Sequence, residues 1–115
     1  MAGETLYVVD RIVTNRGCGK KFVDEFRAGY LPGANRRGLT LHNILVSPPL
    51  WSDSEPNVVT ITWTVDGTTG WWAMTRLSRG DTSLRQWWDA MDPLISERSR
   101  TMAAAADDVE ALADV

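Results

Sequence analysis

Residues 58–65 read VVTITWTV, eight residues in which Val59, Ile61, Trp63 and Val65 alternate with Thr60, Thr62 and Thr64. Successive side chains of a strand point to opposite faces, so this alternation predicts a β-strand with one face in a core and the other near solvent. Such a strand fits an antiparallel sheet covered on one side. It also centres a tryptophan on the apolar face, and an indole N–H needs a partner when buried.

The rest of the chain supplies the elements such a sheet requires. Residues 5–14, TLYVVDRIVT, read as a strand with apolar side chains on both faces, Leu6, Val8 and Ile12 on one and Tyr7, Val9 and Val13 on the other. NRGCG breaks it, and KKFVDEFRAGYL then spaces Phe22, Val23, Phe26 and Tyr30 as the apolar face of a helix. Pro32-Gly33 is expected to kink or interrupt that helix, or to open a new turn. Residues 39–47, LTLHNILVS, form the next strand, closed by Pro48-Pro49. After the turn at Asp66-Gly67, Thr68 or Thr69 is expected to cap a helix through Trp71, Trp72, Met74 and Leu77 that stops at Arg79-Gly80. Asp81 then caps a second helix whose Leu84, Trp87, Trp88 and Met91 lie at i, i+3, i+4 and i+7. LISERSRTMA follows as a short edge strand. The segment AAADDVEALADV is expected to be a loose helix or a disordered acidic tail, giving a domain over residues 1–104 and a tail over 105–115.

This βαββαβ order, with an interrupted second helix, predicts an α+β ferredoxin-like fold: a four-stranded antiparallel sheet with its helices on one face. The apolar second face then needs cover, and a second copy of the chain is the expected occupant. The 115-residue length suits one domain. The net charge of −3 is concentrated at the end, where Asp107, Asp108, Glu110 and Asp114 carry four negative charges and leave the remainder at +1. The arginines are scattered rather than interleaved with aromatics, which argues against a nucleic-acid surface. No segment is apolar enough to span a membrane and the first residues are not patterned as a signal peptide, so no membrane partner and a cytoplasmic location are expected. One cysteine, Cys18, and one histidine, His42, argue against a disulfide or a zinc site. RGCGKK lacks the spacing of a phosphate loop, and no G-x-S-x-G elbow occurs.

The strand leading into GCGKKFVDEFRAGYLPGANRRG, the hairpin ending in VTITWTVDG, the Trp-rich interrupted helix and DPLISERSRTM together resemble the dimeric α/β-barrel superfamily, over roughly residues 5–102. In layout the chain is most similar to the NIPSNAP and EthD-like branches. The resemblance implies two ferredoxin-like protomers packed sheet against sheet, each with a small apolar pocket between sheet and helices. It implies no single chemistry, since the superfamily includes polyketide cyclases, cofactor-free monooxygenases, muconolactone isomerases and haem-degrading oxygenases. Haem-degrading members hold iron with a helix histidine, whereas the histidine here falls on a strand, so no cofactor is expected.

His42 is the natural acid or base, because its ordinary pKa lies near neutrality; a satisfied structural histidine is the alternative. Simple alternation places it on one face with Thr40, Ile44 and Val46. Asp10 and Arg11 interrupt an apolar strand and need partners. Asp10 either pairs structurally, with Arg98 or Arg100, or orients His42 or a substrate oxygen. Arg76 on the Trp-rich helix suits a carboxylate or enolate, and Tyr7 and Tyr30 offer hydroxyls. Trp63, Trp72 and Trp88 are the expected aromatic lining. Adjacent residues on a helix point about 100° apart, so one member of each Trp-Trp pair is expected to face the sheet and the other a cavity or partner. Two functions are compatible with these residues: a cofactor-independent enzyme on a hydrophobic, oxygen-bearing metabolite, or a non-catalytic ligand-binding or assembly module.

Overall fold

A computed structural model describes residues 4–113. Four strands, β1 (Thr5–Thr14), β2 (Thr40–Ser47), β3 (Val58–Asp66) and β4 (Ile95–Ala104), form one sheet in the order β2-β3-β1-β4. Every neighbouring pair is antiparallel. The helices are α1 (Gly19–Glu25), α2 (Leu31–Arg36), α3 (Gly67–Arg79), α4 (Thr82–Met91) and α5 (Val109–Ala113). The ferredoxin-like α+β architecture expected from the pattern is the one observed.

The alternation of β3 sorts as the sequence demands. Val59, Ile61, Trp63 and Val65 are buried while the threonines between them stay half-exposed. β1 contributes Leu6, Val8, Asp10 and Ile12 to the same face. Phe22, Val23, Phe26 and Tyr30 cover that face from the first helical segment. The opposite face carries Tyr7, Val9 and Val13, all half-buried, beside Leu45, which is 59% exposed.

The first helical segment is interrupted before Pro32. A π-helical turn over Phe26–Tyr30 separates α1 from α2, with the Leu31 N–H donating to the Phe26 carbonyl. Pro32 lies in the first turn of α2, so of the two expected roles it opens a new turn. Its missing N–H could not serve the carbonyl one turn back, and the wider turn accommodates this. At α3 the N-cap position is Asp66, with no side-chain capping bond, rather than Thr68 or Thr69. At α4 the cap is Asp81, whose Oδ1 accepts from the Ser83 N–H at 3.0 Å.

The sheet departs from the expected layout at β2 and at β4. β2 and β3 slip register between Leu41 and Asn43, so that His42 is the extra residue of a bulge. Up to that point Leu41 lies opposite Trp63; beyond it Ile44 and Val46 lie opposite Ile61 and Val59, on the helix-covered face. His42 is left on the other face with Tyr7, their rings 6.1 Å apart and at 77°. The expectation that His42 shares a face with Ile44 and Val46 is therefore corrected. β4, expected to be short, pairs with β1 from Ile95 opposite Thr14 to Ala104 opposite Leu6.

The tail turns through Ala106–Asp108 into α5, where Leu112 packs on the core and Val109 is 52% exposed. One partly buried leucine is a small anchor. Deletion after Ala104 is expected to cost about 1 kcal/mol, below the ~1.5–3 kcal/mol of a fully buried side chain, as read by urea denaturation of the truncated and full chains.

Candidate functional site

A cavity of about 770 Å³ lies between the sheet and the α3–α4 pair, open on one side. Ile12, Leu39, Met74, Leu84, Trp71 and Trp88 supply its apolar wall, and Asp10, Tyr30 and Arg100 its polar floor. Arg79, Arg85, Asp89 and Arg98 also line it.

The floor arises from the β1–β4 register. Asp10 stands directly opposite Arg100, and the guanidinium closes on the carboxylate as a fork, Nε to Oδ1 at 2.6 Å and Nη2 to Oδ2 at 2.9 Å. The indole N–H of Trp63, one strand across, donates to the same Oδ2 at 2.9 Å. This satisfies the fully buried tryptophan and completes a carboxylate that would be unstable alone in an apolar layer. Burial works against the charge of Arg100, but the hydrogen bond and charge of Asp10, with Tyr30 adding to them, hold its pKa above the ordinary value. Arg100 Nη2 also donates to the Tyr30 hydroxyl at 3.4 Å. The tyrosine oxygen is thus an acceptor toward Arg100, and its own proton is left for an acceptor in the cavity.

Tyr30 is 5% exposed and held by rings on several sides. Phe26 stacks on it at 5.3 Å, and Trp87 and Trp88 lie 5.0 and 5.4 Å away. The Arg37 guanidinium covers its ring at 5.5 Å. Arg37 is 7% exposed and meets Asp81 through Nη1 at 3.2 Å, while its Nε and Nη2 are buried with no partner among the described residues. Asp81 is held below its ordinary pKa first by the Ser83 hydroxyl, against some opposing burial, with the Leu84 and Ser83 N–H groups and Arg37 adding to the lowering.

The two Trp-Trp pairs split as adjacency requires. Trp87 faces the core, touching Phe22, Phe26 and Tyr30, with its Nε1 so close to Gly29 that a Cβ there would lie 2.6 Å away. Trp88 turns to the cavity. On α3 the cavity member is Trp71, while Trp72, expected there, is 56% exposed and outside the lining. The phase of α3 differs from the expected one by a single position. Trp63 is fully buried beneath the floor and acts on the site only through its bond to Asp10.

The candidate residues therefore do not form one site. Asp10, Tyr30 and Trp88 converge on the cavity. His42 and Tyr7 meet each other on the opposite sheet face, so Asp10 does not orient His42. Arg76 is exposed and outside the cavity, whereas Arg79, three residues on, lines it. Trp71, Arg79, Arg85 and Arg98 were not singled out as lining from sequence. For Arg98 the signal was present: it alternates with Arg100 and so shares its strand face. Among the described residues no cluster of three or more His, Cys, Asp or Glu is placed to hold a metal, and no helix is long and apolar enough to cross a membrane.

No family model matches the chain, and no curated protein matches it in sequence. Its fold is shared with solved structures. An uncharacterised NIPSNAP domain protein from Burkholderia xenovorans is 14% identical, with 88% of this chain and 94% of that one covered and a TM-score of 0.70. A putative antibiotic biosynthesis monooxygenase from Nitrosomonas europaea is 12% identical over 92% and 94% of the two chains, with a TM-score of 0.60. A dimeric ferredoxin-like protein of unknown function from Thermobifida fusca is 14% identical over 90% and 92%, with a TM-score of 0.54. At these identities the likeness is one of fold.

Proposed function

We propose that the chain binds a flat, hydrophobic, oxygen-bearing small molecule in the cavity and acts on it without a cofactor, by acid-base chemistry of the cyclase, isomerase, lyase or monooxygenase kind. The observation that carries this reading is the Tyr30 hydroxyl, buried among rings at the cavity floor and hydrogen-bonded by Arg100. Trp71 and Trp88 suit a flat ring system. A ligand enolate oxygen above Tyr30 would take its O–H proton, with the Arg100 N–H holding the phenol oxygen in place. Asp10 holds Arg100 in place; both its oxygens are occupied, so it is a positioning residue rather than a base. The fold neighbour described as a putative monooxygenase is compatible with this class.

The second reading, a non-catalytic ligand-binding module, draws on one specific observation: the single histidine lies on the other face of the sheet. Native mass spectrometry of small molecules retained by the purified protein, followed by incubation with the molecule identified, separates the two. With an enzyme, Tyr30→Phe is expected to slow turnover ~10²- to 10⁴-fold while the dissociation constant changes only a few-fold. A ligand retained without conversion by the parent protein would favour the binding module.

We also propose that the uncovered sheet face packs against a second copy, forming a dimeric α/β barrel. Tyr7, Val9 and Val13 with the exposed Leu45 make that face more apolar than a solvated surface requires, and one fold neighbour is described as dimeric. His42 and Tyr7 would then lie between the sheets. Light scattering at micromolar concentration is expected to report about twice 12.8 kDa; a clean monomer would sink this proposal and leave the cavity reading untouched.

A further inference from the structure

Charge is distributed unevenly around the cavity. Asp10 is neutralised by Arg100, and Asp81 by Arg37 from behind the wall. Arg79, Arg85 and Arg98 also line the cavity, and none makes an ion pair among the described residues. Against these three cations the lining holds one further acid, Asp89. An apolar, aromatic cavity thus carries an excess of unpaired positive charge.

Arg98 is the one of the three with a fixed seat. It stands opposite Ile12, two residues before Arg100 on the same face of β4. Its guanidinium lies 4.0 Å from the centre of the Trp88 ring. The cation–π contact holds the guanidinium at the indole through its charge and leaves its N–H groups able to donate to a ligand. A planar fork with free donors, held at an aromatic wall, matches the two oxygens of a carboxylate. Trp88 stands beside both polar ends, its ring centre 5.4 Å from that of Tyr30 and 4.0 Å from the Arg98 guanidinium carbon.

We infer that the ligand of this cavity is an aromatic or alicyclic monocarboxylate, its charged end held by Arg98 and its ring against Trp88 and Trp71. The inference rests on the cavity reading above and names the ligand class of that same site. A neutral ligand would leave the donors of this cationic rim without an acceptor on the ligand. A free fatty chain would leave the flat indole faces without a matching surface.

The test uses three probes with one ring system: naphthoate, naphthamide and naphthyl phosphate, titrated calorimetrically against the full chain. Naphthoate is expected to bind at least tenfold more tightly than naphthamide. In Arg98→Gln that preference should fall to twofold or less while the affinity for naphthamide is kept, and Arg98→Lys should restore part of it without the full fork. Circular dichroism checks that the exposed Arg98 can be replaced without unfolding. Equal binding of acid and amide by the parent, or a preference that survives Arg98→Gln, overturns the carboxylate assignment and leaves the cavity as a ligand site. Naphthyl phosphate binding tenfold tighter than naphthoate would overturn it in favour of a phosphate monoester. No binding of any probe would remove the cavity reading together with the inference.

Discussion

Asp10→Ala is expected to destabilise the protein by about 3 kcal/mol, from the ~3–5 kcal/mol typical of removing one partner of a buried ion pair, taken at the low end because Arg100 reaches the open cavity. Three donors lose their acceptor at once: two N–H groups of Arg100 and the indole N–H of Trp63. Arg100 can turn toward water, since its side chain is 34% exposed, but Trp63 cannot, being fully buried in β3. For a domain whose whole stability is of order 5–15 kcal/mol, a loss of this size moves the thermal midpoint by more than 10 °C. Asp10→Asn is expected to lose less, because an amide oxygen still accepts from Trp63. Replacing both Asp10 and Arg100 by leucine is expected to recover only part of the loss, because it removes the stranded charge but leaves the buried Trp63 N–H without an acceptor. Differential scanning calorimetry on these three variants decides the matter: if Asp10→Ala melts within a few degrees of the parent, the floor is held by packing and the ion pair is incidental.

The parts of this architecture that repeat were legible from sequence, and the parts that depend on a single irregularity were not. VVTITWTV contains enough alternating positions to fix its faces, TLYVVDRIVT reads as a strand although both its faces are apolar, and Asp10 was visible as a charge in need of a partner, with Arg98 or Arg100 among the candidates. His42 was misplaced by one bulge. In LTLHNILVS the apolar pattern is compatible with either phase, so nothing local marks the slip that turns His42 away from Ile44 and Val46. The choice of Trp72 over Trp71 failed for a related reason. Helix phase relative to a sheet is set by what the helix packs on, and α3 buries only Met74 fully, leaving a weak internal signal of its inward face. Trp88 was recoverable because Leu84, Trp87, Trp88 and Met91 define a broad stripe on α4. The cationic rim escaped notice because Arg79, Arg85 and Arg98 lie on three different elements and meet only through the tertiary fold.

Replacing the four paired tryptophans one at a time by alanine is expected to give three distinct outcomes. Trp87→Ala should destabilise by about 2–3 kcal/mol, somewhat less than the ~3–5 kcal/mol of a fully buried aromatic, because Trp87 is half-buried against Phe22, Phe26 and Tyr30. Trp72→Ala should change neither stability nor binding appreciably, since its ring is mostly in solvent and outside the cavity. Trp71→Ala and Trp88→Ala should each weaken naphthamide binding about tenfold, the equivalent of ~1.4 kcal/mol and within the range of an aromatic contact, on top of a stability loss no larger than that of Trp87→Ala, since both rings are also half-buried against the core. Trp88→Ala should also cost naphthoate more than naphthamide, because it removes the ring on which Arg98 is seated. That difference makes the four variants more than a map of burial: a wall that only fills space would lose acid and amide alike, whereas a wall that positions a guanidinium loses the acid first. Should all four variants bind the probes as the parent does and differ only in melting temperature, the paired tryptophans are packing alone, and the ligand site must be sought elsewhere on the molecule.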